Sequence, residues 1–249
     1  MAPVLTAVTD RVHFVHTDLV NWTLVTGSDR DGVMLIDAGF PGSRADVVDS
    51  LDQLGFGVPD VRAILLTHAH IDHFGSAIWF AGEHGTPVYC HAAEVGHSKR
   101  EYLEQASPVD IAAHFWQPKW LKWSVSILGK GALTRDGIPT TAPLTENIAA
   151  GLPGAPKPIP TPGHTGGHCS YLVDGVLVSG DALVTDHPLA SRRGPQLLPP
   201  MFNHDEDRCR RSLAALAALD AEVLLPGHGP VWRGPVRMAA EQAASPDVS

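Results

Sequence analysis

The sequence predicts an α/β protein whose sheets and helices lie in layers. Short β-branched and aromatic runs alternate with stretches of helical periodicity, which favours layered packing over a bundle. The two halves echo one another loosely, each giving strands, then a strand ending in histidine or aspartate, then a helix. No motif recurs at a fixed period of about 20 to 50 residues, so a solenoid is excluded.

In chain order, RVHFVH, NWTLVTG and GVMLIDAG, between residues 11 and 39, read as hairpin-linked strands separated by Gly and Asp. SRADVVDSLDQLGF then places Val47, Val48, Leu51 and Leu54 at three-and-four spacing, a helix with Ser43 as its N-cap. VRAILLTH is a buried strand, GSAIWFAGEHG a helix that closes at Gly82 or Gly85, and TPVYCH the next strand. Residues 92–143 change character, with AAEVGHSKREYLEQA helical and HFWQPKWLKW rich in aromatics, Pro118 starting a fresh helix. This reads as a mainly helical insertion or lid over one edge of the core. Strand-like YLVDGVLVSGDALV, a Pro-rich loop, the helix DEDRCRRSLAALAALD and the strand EVLLPGHGPVW follow. The last dozen residues, MAAEQAASPDVS, are expected to fray. Residues 1–249 are read as a single domain.

Composition narrows the function. The balance of 18 basic against 27 acidic residues, a formal charge of −9, opposes binding to nucleic acid or anionic membranes. No run of about 18 apolar residues suggests a membrane span, and the N-terminal stretch lacks a basic flank before an apolar segment. Three scattered cysteines make neither a disulfide framework nor a thiolate zinc site, so a reduced, cytoplasmic setting is expected. Histidine, at 14 residues, is the outlier.

Four of the chemically active side chains crowd one short stretch, LLTHAHIDHFGS. In an extended segment alternate side chains share a face, so His68 and His70 can reach one metal ion. Asp72 and His73 fall where the chain turns into a helix and address a neighbouring position, which suggests two metals. An N-capping role for Asp72 would explain one residue and leave three unexplained. Three further candidates sit at strand-end turns: His164 in PTPGHTGGH, Asp181 in LVSGDALV and His228 in VLLPGHGP. Imidazole and carboxylate donors together suit zinc, with iron and manganese also served by them.

These motifs, running from LIDAGFPG through THAHIDH, PGHT and SGDA to PGHG, resemble the metallo-β-lactamase superfamily over essentially the whole chain. The resemblance implies an αββα sandwich of two mixed β-sheets flanked by helices, with a dinuclear site along one sheet edge. It further implies that His68, His70 and His164 hold the first divalent ion, that Asp72, His73 and His228 hold the second, that Asp181 bridges them, and that Asp37 steadies the ligand loop. Two cations about 3.5 to 4 Å apart sharing a water would provide hydroxide near neutral pH, for attack on an ester, thioester or lactone carbonyl. Asp72 is then a candidate catalytic group as well, moving a proton between nucleophile and leaving group.

The branch is less sharply marked. Lactamase branches usually carry Cys or Ser where this chain has Asp181, the glyoxalase II type reads GDTLF where it has GDALV, and quorum-quenching lactonases place a Tyr soon after the bridging aspartate. SGDAL is also similar to mononuclear iron persulfide dioxygenases, although the Arg, Cys and Gly-rich stretch expected after it is missing. A nucleic-acid-processing member of the superfamily is the other alternative, and the acidic chain shows no basic stripe for it. A small-molecule substrate is expected, and no oligomeric state is assigned. Trp116, Trp120, Trp123, Arg192 and Arg193 are candidates for the substrate pocket, the tryptophans as an apolar wall and the arginines for carboxylate recognition. His168 is read as packing or bonding beside the ligands. His13, His16, His84, His91, His97, His114, His187 and His204 are read as ordinary surface or core histidines.

Overall fold

The computed structural model describes residues 2–28 and 31–245. The first sheet has seven strands in sequence order: β1 (Val4–Ala7), β2 (Val12–His16), β3 (Trp22–Thr26), β4 (Val33–Ile36), β5 (Val61–Leu65), β6 (Val88–Cys90) and β7 (Ala142–Pro143). β1 to β4 pair antiparallel, and β4 to β7 pair parallel. The crossovers carry α1 (Arg44–Gln53) and α2 (Ile71–His84). After β6 come α3 (Val95–Ser98), α4 (Pro108–Ala112) and α5 (Pro118–Gly129), with α6 (Glu146–Ala150) beyond β7.

The second sheet contains β8 (Lys157–Pro160), β9 (Cys169–Val173), β10 (Val176–Gly180), β11 (Val223–Pro226) and β12 (Trp232–Arg233), in spatial order β12-β11-β10-β9-β8. Only β10 and β11 run parallel; their connection carries α7 (Glu206–Ala217), and α8 (Val236–Ala244) closes the layer.

The period of two along each strand explains the sandwich. On β4, Met34 and Ile36 face the second sheet, where they meet Tyr171, Val173, Val176, Val178 and Leu225. Val33 and Leu35 face the other way, onto Val47 and Leu51 of α1 and Phe74, Ala77 and Phe80 of α2. On β10 the pattern repeats, Leu177 turning outward with Leu224 onto Leu213 and Leu216 of α7 and Ala239 and Ala240 of α8. Strands buried on both faces thus read as continuous apolar runs, and three cores stack into the αββα order.

Several local expectations are corrected. Ser43 occupies the N-cap position of α1 but makes no side-chain cap bond, because a 3-10 turn over Pro41–Ser43 precedes the helix. Residues 92–107 are helical only over a short 3-10 turn and α3, with the remainder folded as turns whose polar groups serve the site described below. The expected fraying at the C-terminus gives way to α8, which buries Ala239, Ala240 and Ala243 in the third core; residues 246–249 lie outside the described residues. β1, β8 and α6 were not foreseen in the sequence.

The N-terminal half of α2 is seated by a close approach at Gly75, the fifth residue of the helix. A Cβ on Gly75 would overlap Pro41 and Phe40, whereas one on Gly82, in the same helix, would meet nothing within 4 Å. Replacing Gly82 by Ala should therefore stabilise the protein by about 0.5–1 kcal/mol through helix propensity. Gly75→Ala should destabilise it by about 1–3 kcal/mol, since steric overlap outweighs the same propensity gain. Denaturant unfolding of the two variants checks the opposite signs.

Candidate metal centre

The C-terminal ends of β5, β10 and β11 meet at one edge of the sandwich, and each delivers a ligand candidate at the point where its strand stops. After β5 the chain bends at Thr67 and reaches His70, which is extended with φ −73° and ψ 147°, before it turns into α2 with Asp72 and His73 in the first turn. His164 comes from the loop between β8 and β9, Asp181 follows β10 directly, and His228 follows β11. Close packing at this edge depends on glycine: a Cβ on Gly227 would collide with Asp181 Oδ1 and His73.

All seven side chains converge. Three groups have ligand atoms lying within 4.8 Å of one another: His68 with His70 and His164; His68 with His73 and Asp181; and Asp72 with His73 and His228. Asp181 occupies the middle, Oδ2 lying 3.2 Å from His228 Nε2, 3.3 Å from His164 Nε2 and 3.9 Å from His68 Nε2, and Oδ1 3.4 Å from His73 Nε2. Asp72 Oδ2 is 3.6 Å from His228 Nε2.

The opposite nitrogen of every one of these histidines is occupied. Asp37 Oδ1 accepts the Thr67 backbone N–H, while its Oδ2 accepts from the Thr67 hydroxyl and from His73 Nδ1 at 2.9 Å. With its proton given to Asp37, the Thr67 hydroxyl accepts from His68 Nδ1 at 3.0 Å. His70 Nε2 donates to the Glu104 carbonyl, His164 Nδ1 to Asn203 Oδ1, and His228 Nδ1 to the Leu19 carbonyl. Assigned from these partners, each ring presents a bare lone pair to the centre. His70 Nδ1 and His164 Nε2 face one another at 2.9 Å, an arrangement that needs a proton or a cation between them. His68 Nε2, His73 Nε2 and Asp181 Oδ1 are buried with no hydrogen-bond partner. Orphaned buried acceptors are costly and rare, and a divalent cation with nitrogen and oxygen ligands satisfies all three.

The electrostatics agree. Burial, aided by neighbouring imidazoles, pushes His68 and His164 well below the usual imidazole range and lowers His70, so these rings are held neutral, the state that coordinates metal. Burial pulls His73 and His228 the same way, but Asp181 and Asp72 outweigh it and raise both. Burial likewise opposes ionisation of Asp181, yet His228 and His73 hold its carboxyl well below the ordinary range. Negative charge at the centre thus draws positive charge to itself.

The supporting shell contains residues that the sequence did not single out. Glu94, fully buried, accepts through Oε1 from the Ala69 N–H and His97 Nδ1, and through Oε2 from the Thr165 hydroxyl and the Gly167 N–H. One carboxylate therefore ties the loop bearing His68 and His70 to the loop bearing His164, and His97 is one of its bonds rather than an ordinary core histidine. Glu104 adds a second tie, its Oε2 accepting from the Gly166 N–H. His168 donates to Thr161 and accepts the Asp181 backbone N–H at 3.1 Å, holding the central aspartate in place. The only local hint of Glu94 was its position three residues before His97 in AAEVGH. Asp37, which ties Thr67 and His73, has a positive φ of 60°, a strained conformation that its three accepted bonds hold.

A cavity of about 120 Å³ opens onto the centre, walled by Phe40, Ile71, Trp123, Leu198 and Phe202. Of the three tryptophans only Trp123 lines it. Trp120 is buried beneath, stacked on His114 and Phe202, and Trp116 is 79% exposed, because Pro118 starts α5 and turns the preceding residues away from the core. Arg192 and Arg193 lie off this cavity; they border a neighbouring depression with His16 and Asp18, and Arg193 pairs with Asp186 at 3.5 Å.

Replacing Glu94 by Ala would strand four donors. It should lower stability by about 3 kcal/mol and weaken metal binding by about 10- to 100-fold, with Glu94→Gln recovering part of both. Unfolding of the metal-free protein and competitive metal titration measure the two effects separately.

Comparison with known proteins agrees with this geometry. Residues 17–228 match the family model of the metallo-beta-lactamase superfamily. The chain is 31% identical to the probable metallo-hydrolase YflN of Bacillus subtilis, over 88% of this chain and 83% of that protein. It is 27% identical to metallo-beta-lactamase domain-containing protein 1 of Xenopus laevis, over 89% and 82%. The metallo-beta-lactamase family protein TTHA1429 of Thermus thermophilus superposes with a TM-score of 0.63 at 25% identity, covering 97% of this chain and 76% of that one. An αββα sandwich gathering histidines and aspartates at one edge, matched along most of its length by such relatives, belongs to the metallo-β-lactamase superfamily.

Proposed function

We propose that this protein is a dinuclear metal-dependent hydrolase of carbonyl esters, thioesters or lactones. The observation that carries the reading is the ring of five imidazole lone pairs turned inward on the buried Asp181 carboxylate. His68, His70 and His164 would hold one divalent ion and Asp72, His73 and His228 a second, with Asp181 shared, zinc being the first choice for this donor set. When bound, such ions supply Lewis acidity toward a substrate carbonyl and toward water near neutral pH.

The protein's own groups set the rest. Asp72 is the more open of the two central carboxylates, its side chain 24% exposed against 3% for Asp181, and it lines the cavity. Its carboxylate is placed to accept a proton from attacking water and to return it to the leaving group. The apolar walls exclude bulk water and take up the acyl or ring portion of a small substrate. Ile111, Trp123 and Ile127 of the 92–143 insertion contribute one side of the wall, in keeping with a lid built into a single domain. A mononuclear iron oxygenase would leave the Asp72, His73 and His228 group without a task.

No helix among the described residues is long and apolar enough to cross a membrane. Three buried free cysteines suit a reducing, cytoplasmic setting, and the charge of −9 disfavours a nucleic-acid substrate.

Elemental analysis joined to a hydrolysis panel of lactones, thioesters, aryl esters and β-lactams tests the proposal. Two equivalents of zinc are expected, with turnover lost on chelation and restored on readdition. Asp181→Ala should lose metal and turnover together. One equivalent of iron accompanied by oxygen uptake would refute the dinuclear hydrolase.

A further inference from the structure

His187 follows Asp181 in the loop between β10 and α7 and is 7% exposed. Its ring stands edge-on to His228 with centroids 5.0 Å apart, and packs against Phe202 at 5.6 Å and Trp123 at 5.9 Å. All four rings line the cavity above the metal centre. The backbone is pinned on both sides, the His187 N–H donating to Asp186 Oδ1 and the carbonyl accepting from the Ala190 N–H.

The tautomer follows from one contact. Nδ1 accepts the Leu189 backbone N–H at 3.2 Å, so the ring proton of the neutral imidazole resides on Nε2. That Nε2–H has no hydrogen-bond partner among the described residues, and it is not among the partnerless polar atoms sealed from solvent. It is an unspent donor on a ring wedged between cavity residues. The metal-centre histidines are built the opposite way, with lone pairs inward. Among the described residues no lysine or arginine lines this cavity, so no side-chain cation competes with the His187 N–H for a substrate oxygen there.

We propose that His187 donates from Nε2 to the carbonyl oxygen of a neutral ester or lactone, and is thereby a further catalytic residue selecting uncharged acyl substrates. The assignment rests on the hydrolase reading. Water oxygen bonds to the carbonyl carbon, and the C=O pair moves onto the oxygen held by His187, where the hydrogen bond strengthens as charge builds. On collapse the pair re-forms C=O, the bond to the leaving oxygen breaks, and that oxygen takes the proton given up by water. His187 keeps its own proton throughout.

Two measurements test this. In protein labelled with ¹⁵N-histidine and loaded with zinc, NMR should find His187 protonated at Nε2. Titration with 2-pyrrolidinone, the non-hydrolysed lactam analogue of γ-butyrolactone, should shift that N–H. In steady-state hydrolysis of γ-butyrolactone and 4-nitrophenyl acetate, His187→Leu should lose about 100-fold or more in kcat/KM, the scale of one oxyanion donor. Its zinc content should be unchanged, and His187→Gln, which keeps an N–H, should recover much of the loss. A proton on Nδ1, a lactam that leaves the N–H unmoved, or a His187→Leu protein hydrolysing both compounds at the wild-type rate would each overturn the assignment. A wild-type protein inert to every compound would count against the hydrolase reading instead, and the lactam titration would still decide the role of His187.

Discussion

Lone pairs that converge repel one another unless positive charge sits among them, and the edge of this sandwich is organised around that constraint. Five imidazoles and two carboxylates are packed so closely that several acceptor atoms are buried with no donor. Left alone, such a cluster would cost several kcal/mol in unsatisfied polar groups and like-charge contacts. The fold tolerates it because the rigid layers on either side leave these side chains no other place to go. A site destabilised without its cation is one that binds cations.

The outer bonds show how the strain is held. Each histidine is anchored from behind, by Asp37, by Thr67 acting for Asp37, by Asn203, or by the carbonyls of Leu19 and Glu104. These partners fix the tautomer and the aim of each ring at once. Glu94 works on a longer scale, joining loops that come from different sheets so that His164 is kept in register with His68 and His70. The same logic run in reverse explains His187, whose tautomer is set by a backbone donor instead of an acceptor, leaving a hydrogen where the others present a lone pair.

How much of this could be read in the sequence depended on whether the signal was local. The order of strands and helices was legible because apolar period and Gly or Asp punctuation are properties of neighbouring residues, and the seven ligand candidates were legible because each sits in a short strand-then-turn motif. Glu94, Glu104 and Asn203 were not, since their roles come from contacts between segments distant in the chain, and an acidic residue at a helix start is usually solvated. The tryptophans illustrate the same limit. Their spacing marked them as a group, yet the bend at Pro118 sends Trp116 to solvent, Trp120 into packing and only Trp123 to the cavity. The C-terminal residues misled for a different reason, because alanines with little burial of their own become core material once α7 offers a face to pack on.

The proposed seating of two cations on this cluster, with Asp181 shared, is tested most directly by anomalous diffraction at the zinc edge from crystals grown with zinc. Two peaks about 3.5 to 4 Å apart, one against His68, His70 and His164 and the other against Asp72, His73 and His228, with Asp181 touching both, is the predicted result. A single peak, or density elsewhere with these seven side chains left bare, would contradict it.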